Sequence, residues 1–117
     1  MFRFEDLDIW KKSIEILDEL LSVADLLAEK NLYRFAEQMR GAAISISNNI
    51  AEGSGCQSNP EFIKFLGYAR RSAFEVVNML VVFHKRKYLT TFVKDAMVKK
   101  LEQLCKMISG LIKTLRS

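Results

Sequence analysis

Residues 45–55 read SISNNIAEGSG, and they close a run from Gly41 to Ala51 without a charged residue, in a chain where 27% of residues are charged. Phe35, Met39, Ala42, Ala43, Ile46 and Ile50 recur in threes and fours, which predicts a helix over about Leu32–Ala51 with these residues toward a core. Gln38, Gly41, Ser45 and Asn48 follow one another along the other side. Exposed helix faces ordinarily carry Lys and Glu, so a small, uncharged face implies a second neighbour, close enough for Ser and Asn to bond across the contact. The segment is therefore read as a helix packed on two sides, against its own core and against another subunit.

Breaks around Glu29–Asn31, Gly53–Pro60 and Lys85–Thr91 leave three more segments of helical length. The first, about Asp6–Leu27, has Leu7, Trp10, Ile14, Leu17, Leu21 and Ala24 as its core stripe, flanked by Ile9, Ile16, Leu20, Val23 and Leu27. At about 100° per residue its apolar arc covers roughly 200°, too wide for one neighbouring layer. SNPEF introduces the third segment, with Asn59 as the cap, Pro60 at the first helical position and Glu61 in the first turn. Phe62, Phe65, Leu66, Ala69, Ala73, Val76, Val77, Leu80 and Phe83 form its core stripe, and Ile63, Phe74 and Val81 a second one. Arg70 projects between Ile63 and Phe74 and is expected to be partly covered and paired, while Lys64, Arg71, Glu75 and Asn78 face water.

The last segment, about Thr91–Leu115, carries Met97, Leu101, Leu104, Ile108, Leu111 and Leu115 as a heptad-like seam, with Val98, Cys105 and Ile112 beside it. Lys99, Lys106 and Lys113 line its outer face, but Asp95 and Glu102 stand one turn before Lys99 and Lys106, in the order that favours local pairing. This face is therefore not assigned to nucleic acid. No stretch alternates with period two, so the fold class is all-α. Short connections favour an antiparallel up-down-up-down four-helix bundle over a single domain, 1–117. Excess apolar surface on the first and third helices points to homo-oligomerisation.

The totals agree with this picture. The 117 residues suffice for one core, and half of them are hydrophobic, with a single Pro. Two cysteines with no close spacing signal neither a zinc site nor a disulfide framework. MFRFEDLDIW places acids where a secretory signal needs an apolar run, and no run reaches membrane-span length. A reduced, cytoplasmic protein without a membrane partner is the expectation.

Catalytic chemistry is not signalled. His84 lies in HKRK at a helix end, where a cation suits the helix dipole, with no nucleophile placed beside it. GSG at Gly53–Gly55 follows a helix, so it reads as a terminator and not as a phosphate cradle. Glu52 and Glu75 are expected to pair with Arg40 or Arg70. The formal charge is +4, which favours polyanions modestly. HKRKY, His84–Tyr88, is the densest positive run; in a single copy it reads first as a solvated helix C-terminus, and otherwise as a loop that grips phosphates with Tyr88 offered for stacking. Repeated around an assembly, it forms a belt of charge, and affinity rises with the number of phosphates neutralised.

FEDLDIW at Phe4–Trp10, MRGAAISISNNIAEGSG at Met39–Gly55, PEFIKFLGYARRSAFEV at Pro60–Val76 and KMISGLIKTL near the end together resemble the four-helix-bundle proteins encoded in intervening sequences of bacterial 23S ribosomal RNA genes, also labelled S23 ribosomal protein. The resemblance covers nearly the whole chain. It implies a homopentamer, and a remote kinship with the accessory protein of diversity-generating retroelements, which binds a reverse transcriptase and nucleic acid. Arg40, Ser45, Asn49, Ala51, Glu52 and Gly53 match the family motif, as do Glu61, Phe62, Phe65, Leu66, Ala69, Ser72 and Glu75. Ser47 stands where the family often has Pro, which implies a weaker kink, and Gly41 and Arg70 shift where positive charge sits.

The sequence thus points to a non-enzymatic, ring-like homo-oligomer that needs no cofactor or metal. It binds structured RNA or DNA, or a protein carrying it, through Arg40, Lys64, Arg71, Lys85, Arg86 and Lys87. Subunit contacts are expected at Gly41, Ser45, Asn48, Ile63, Arg70, Phe74 and Val81. The alternative is a scaffold that docks a protein partner without touching nucleic acid.

Overall fold

The computed structural model describes residues 1–116. These residues form four helices and no strand: α1 (Asp8–Glu29), α2 (Tyr33–Ser54), α3 (Asn59–Lys85) and α4 (Thr91–Leu115), with a short 3₁₀ turn at Arg3–Asp6 ahead of α1. Each helix packs on two others in a closed cycle, α1 on α2, α2 on α3, α3 on α4 and α4 back on α1. The molecule measures 45 × 23 × 19 Å. At about 1.5 Å per residue α3 alone is about 40 Å long, so it lies along the long axis.

The core is a four-helix bundle core, with Ile16, Leu20 and Leu27 from α1, Met39, Ile46 and Ile50 from α2, Phe62, Leu66 and Leu80 from α3, and Leu101, Leu104 and Ile108 from α4. The buried face of α1 draws on both expected sets. Leu17 and Ala24 of the expected stripe are buried together with Ile9, Ile16, Leu20, Val23 and Leu27, whereas Leu21 is 36% exposed and Leu7, Trp10 and Ile14 are only half-buried. Contact with both α2 and α4 turns the middle of the wide apolar arc inward, and Leu7, Trp10, Ile14 and Leu21 become its flank.

Helix ends follow local chemistry. Ser58, not Asn59, caps α3: its Oγ accepts from the Glu61 backbone N–H at 3.3 Å, and Pro60 falls at the second helical position. Asn59 instead donates from Nδ2 to the Leu115 carbonyl at 3.2 Å, tying the start of α3 to the end of α4. The α1 and α3 C-termini close alike. Asn31 and Lys87 adopt positive φ, 65° and 66°, and the following residues donate back, Leu32 to Leu27 at 2.9 Å and Tyr88 to Phe83 at 2.8 Å. Both are left-handed caps of the Schellman type, usually built on Gly.

The opening stretch finds most of its polar partners at home. Helix α2 runs through Gly53 and Ser54 and is capped at Gly55. Gly53 is required by packing, because a Cβ there would lie 2.8 Å from Phe65 Cβ and 2.9 Å from Phe62 Cδ1. Buried Ser47 and Ser54 each donate to a carbonyl one turn back, Ile44 at 3.2 Å and Ala51 at 2.8 Å. Ser45 Oγ meets Ser72 Oγ of α3 at 2.9 Å, and Asn49 Nδ2 donates to the Ser45 carbonyl at 2.8 Å. Among the described residues no buried side-chain polar atom lacks a partner. Satisfaction within one helix, or across to α3, is what lets so polar a segment sit against a core.

Candidate functional site

Basic side chains gather at one end of the bundle because two helix exits meet there. Lys85 is the last residue of α3, Arg86 its cap and Lys87 the left-handed residue that turns the chain. All three are exposed, and none forms an ion pair among the described residues. Lys30, from the α1–α2 turn, joins Lys87, His84, Tyr88, Thr90 and Thr91 around a shallow cleft of about 400 Å³. His84 Nε2 and Thr91 Oγ1 are 2.9 Å apart across it.

Tyr88 is not free to stack on a base. Its ring packs 6.3 Å from Phe35 and 6.4 Å from Phe83, centroid to centroid, and Phe35 lies 5.2 Å from Phe83. This cluster pins the basic turn to α2, so the three cations are held by a rigid base. Sequence reading missed Lys30, which only the fold brings to this end. A hint lay in the Lys30-Asn31 exit, because Asn tolerates the left-handed conformation and so marks a turn.

The other cations expected to bind are elsewhere. Lys64 and Lys85 are separated along α3 by about 31 Å at 1.5 Å per residue. Lys64 and Arg71 are exposed, and with Arg70 and Arg116 they border a second cleft of about 490 Å³ between α3 and α4. Arg40 is engaged already. Its guanidinium donates to Glu37 at 2.6 Å and to Asp25 at 2.9 Å, and these bonds, Asp25 first, push its pKa above the ordinary value. Its partners are thus not Glu52 or Glu75, which form no ion pair among the described residues. Asp95 also departs from expectation, pairing with Lys94 and not with Lys99. An unanticipated tie joins α4 to α1, where Lys100 Nζ donates to Glu19 at 2.6 and 2.8 Å.

The expected subunit-contact residues separate in the same way. Gly41 and Asn48 are exposed, and a Cβ on Gly41 would meet nothing within 4 Å. Ser45 is half-buried, and its hydroxyl bonds to Ser72 within the chain. Ile63 and Val81 are half-buried, whereas Phe74 is 56% exposed. Arg70, expected to be covered and paired, is exposed and has no carboxylate partner among the described residues. Its guanidinium carbon sits 5.0 Å from the centroid of the Phe74 ring, a cation–π contact that replaces the expected ion pair. Phe74 and Arg70 rim a groove of about 470 Å³ floored by Val77, Val98 and Cys105, with Glu102, Lys106 and Ser109 along its edge. Burial pushes the Cys105 thiol up, and nearby Arg70 works in the opposite direction.

Residues 5–110 match the family model described as 23S rRNA-intervening sequence protein. The chain belongs to that family. A crystal structure of a protein with unknown function from the S23 ribosomal protein family, from Bacteroides thetaiotaomicron VPI-5482, superposes with a TM-score of 0.85 at 23% identity, covering 90% of this chain and 98% of that one. No curated protein matches the sequence. In this member of the 23S rRNA-intervening sequence family the motif residues account for the α2–α3 contact. Ser45, Asn49 and Ser72 form one hydrogen-bonded group, and Gly53 admits Phe62 and Phe65. Ser47 leaves α2 continuous. No helix is long and apolar enough to cross a membrane, and no cluster of three or more potential metal ligands occurs, among the described residues.

Proposed function

We propose that this family member is a non-enzymatic, self-assembling four-helix bundle, antiparallel and up-down-up-down in order, that holds structured RNA or DNA through the basic turn. Lys85, Arg86 and Lys87 contact phosphates, with Lys30 beside them. The observation that carries this reading is the group of exposed cations, free of ion pairs among the described residues, on a turn fixed by the Phe35–Phe83–Tyr88 cluster. Helix positions alone would place these charges in water. Their concentration at one end gives a polyanion several contacts at once, and an assembly multiplies them. Lys64 and Arg71 supply a second, separate set. Arg40 contributes little, because Asp25 and Glu37 already neutralise it. The family resemblance supports a pentamer, and a reduced, cytoplasmic setting fits two unpaired cysteines.

The test is fluorescence anisotropy of a labelled, structured RNA across a salt series, comparing the natural chain with a Lys85→Glu/Arg86→Glu/Lys87→Glu variant. Binding should weaken steeply with salt in the natural chain and be lost in the variant. Absence of binding at low salt would overturn the nucleic-acid reading and favour a scaffold that docks a protein partner.

A further inference from the structure

Helix α4 is flanked by two open grooves of complementary chemistry. On its α3 side Phe74 stands out of the surface, 56% exposed, with the Arg70 guanidinium carbon 5.0 Å from the ring centroid. The feature is an apolar knob carrying a cation. Lys106 adds positive charge to this side, and the cleft that continues past Arg70 brings Lys64, Arg71 and Arg116. Glu102 is the acid on the rim, and the cations outnumber it. On its α1 side α4 borders a groove of about 440 Å³, lined by Leu7, Ile9, Met107 and Leu111 and rimmed by Asp6 and Asp8. Neither Arg70 nor Asp6 nor Asp8 has an ion-pair partner among the described residues.

We infer that Phe74 and Arg70 of one copy seat in the α1–α4 groove of a second copy, the ring against Met107 and Leu111 and the guanidinium against Asp6 and Asp8. The inference rests on the self-assembly proposed above and names the two surfaces that carry it. An exposed aromatic ring with a stacked Arg is the kind of anchor that dominates interface energies once water is excluded. Opposite charges on the two faces fix the register and oppose knob-to-knob pairing. Because knob and groove are different surfaces, every copy uses both, and the contact is heterologous. The two faces share α4 and lie side by side around the bundle, so successive neighbours are turned relative to one another. Such an array closes into a ring where its rotation closes and otherwise winds into an open helix.

Sedimentation velocity of the full chain at micromolar concentration tests the inference, with circular dichroism to confirm that each variant keeps its helices. Arg70→Glu, Asp8→Arg and Phe74→Ser are each expected to raise the half-assembly concentration about tenfold or more. Combining Arg70→Glu with Asp8→Arg restores opposite charges and should recover assembly beyond either single variant. An assembled natural chain whose mass is indifferent to Arg70→Glu and Asp8→Arg would overturn the contact while leaving self-assembly intact. Single variants that dissociate without recovery in the double would also overturn it, since Arg70 and Asp8 would then face different partners. A monomeric natural chain would overturn self-assembly itself.

Discussion

Lys87 holds a backbone conformation that costs a side-chain-bearing residue about 1–2 kcal/mol, with φ at 66°. Nothing in the α3 exit needs a side chain there for folding, so the charge is retained at the expense of stability, a pattern common where a residue serves binding. Lys87→Gly should therefore raise stability by about 0.5–1 kcal/mol in denaturant unfolding, after the entropy cost of Gly, while weakening RNA binding in anisotropy. Loss of both stability and binding would contradict this. Two glycines give an opposed pair. Gly53→Ala forces a Cβ against Phe65 Cβ and the Phe62 ring and should cost about 1–3 kcal/mol. Gly41→Ala meets open space and should gain about 0.5–1 kcal/mol from helix propensity, visible as a rise in Tm. At Cys105 burial raises the thiol pKa above its ordinary value, so folding favours the neutral form. Well below the ordinary thiol range both states keep the proton. As pH climbs through it the unfolded thiol ionises first, and folded stability falls until the folded thiol ionises too. The stability advantage of the natural chain over Cys105→Ala should hence narrow as pH rises past the ordinary thiol range, and a constant difference would show that the thiol ionises equally in both states.

Helix existence was legible from hydrophobic spacing, and α4 even in its bounds, because the heptad-like seam runs unbroken between the preceding break and Leu115. Rotation was less legible. In α1 two adjacent apolar sets fit one arc, and only contact with two neighbours settles which residues of each turn inward. Capping was misread by one residue, since Ser58 and Asn59 are both good cap formers and sequence alone does not rank their geometry. Ser58→Ala should cost about 1 kcal/mol. Asn59→Ala should cost less in α3 helicity, because its side chain bonds to the Leu115 carbonyl. Thermal unfolding of the two variants side by side checks the assignment, and an equal or larger loss for Asn59→Ala would contradict it.

At the scale of the molecule the sequence supplied the residues of the candidate site but not their grouping. Six cations chosen from exposed positions fall at three places, because Arg40 is drawn to Asp25 and Glu37, while Lys64 and Arg71 lie far along α3 from the basic turn. The uncharged stretch implied a close neighbour, and within the chain Ser45 meets Ser72 of α3. Phe74 and Arg70 are the reverse case, expected at a contact and left without a partner within the chain beyond each other. Both the basic belt and the knob-and-groove contact depend on the chain acting as an assembly. The most direct measurement is light scattering of the natural chain at micromolar concentration. A mass of several times 13.5 kDa is the result expected, and a mass of one chain would contradict the account.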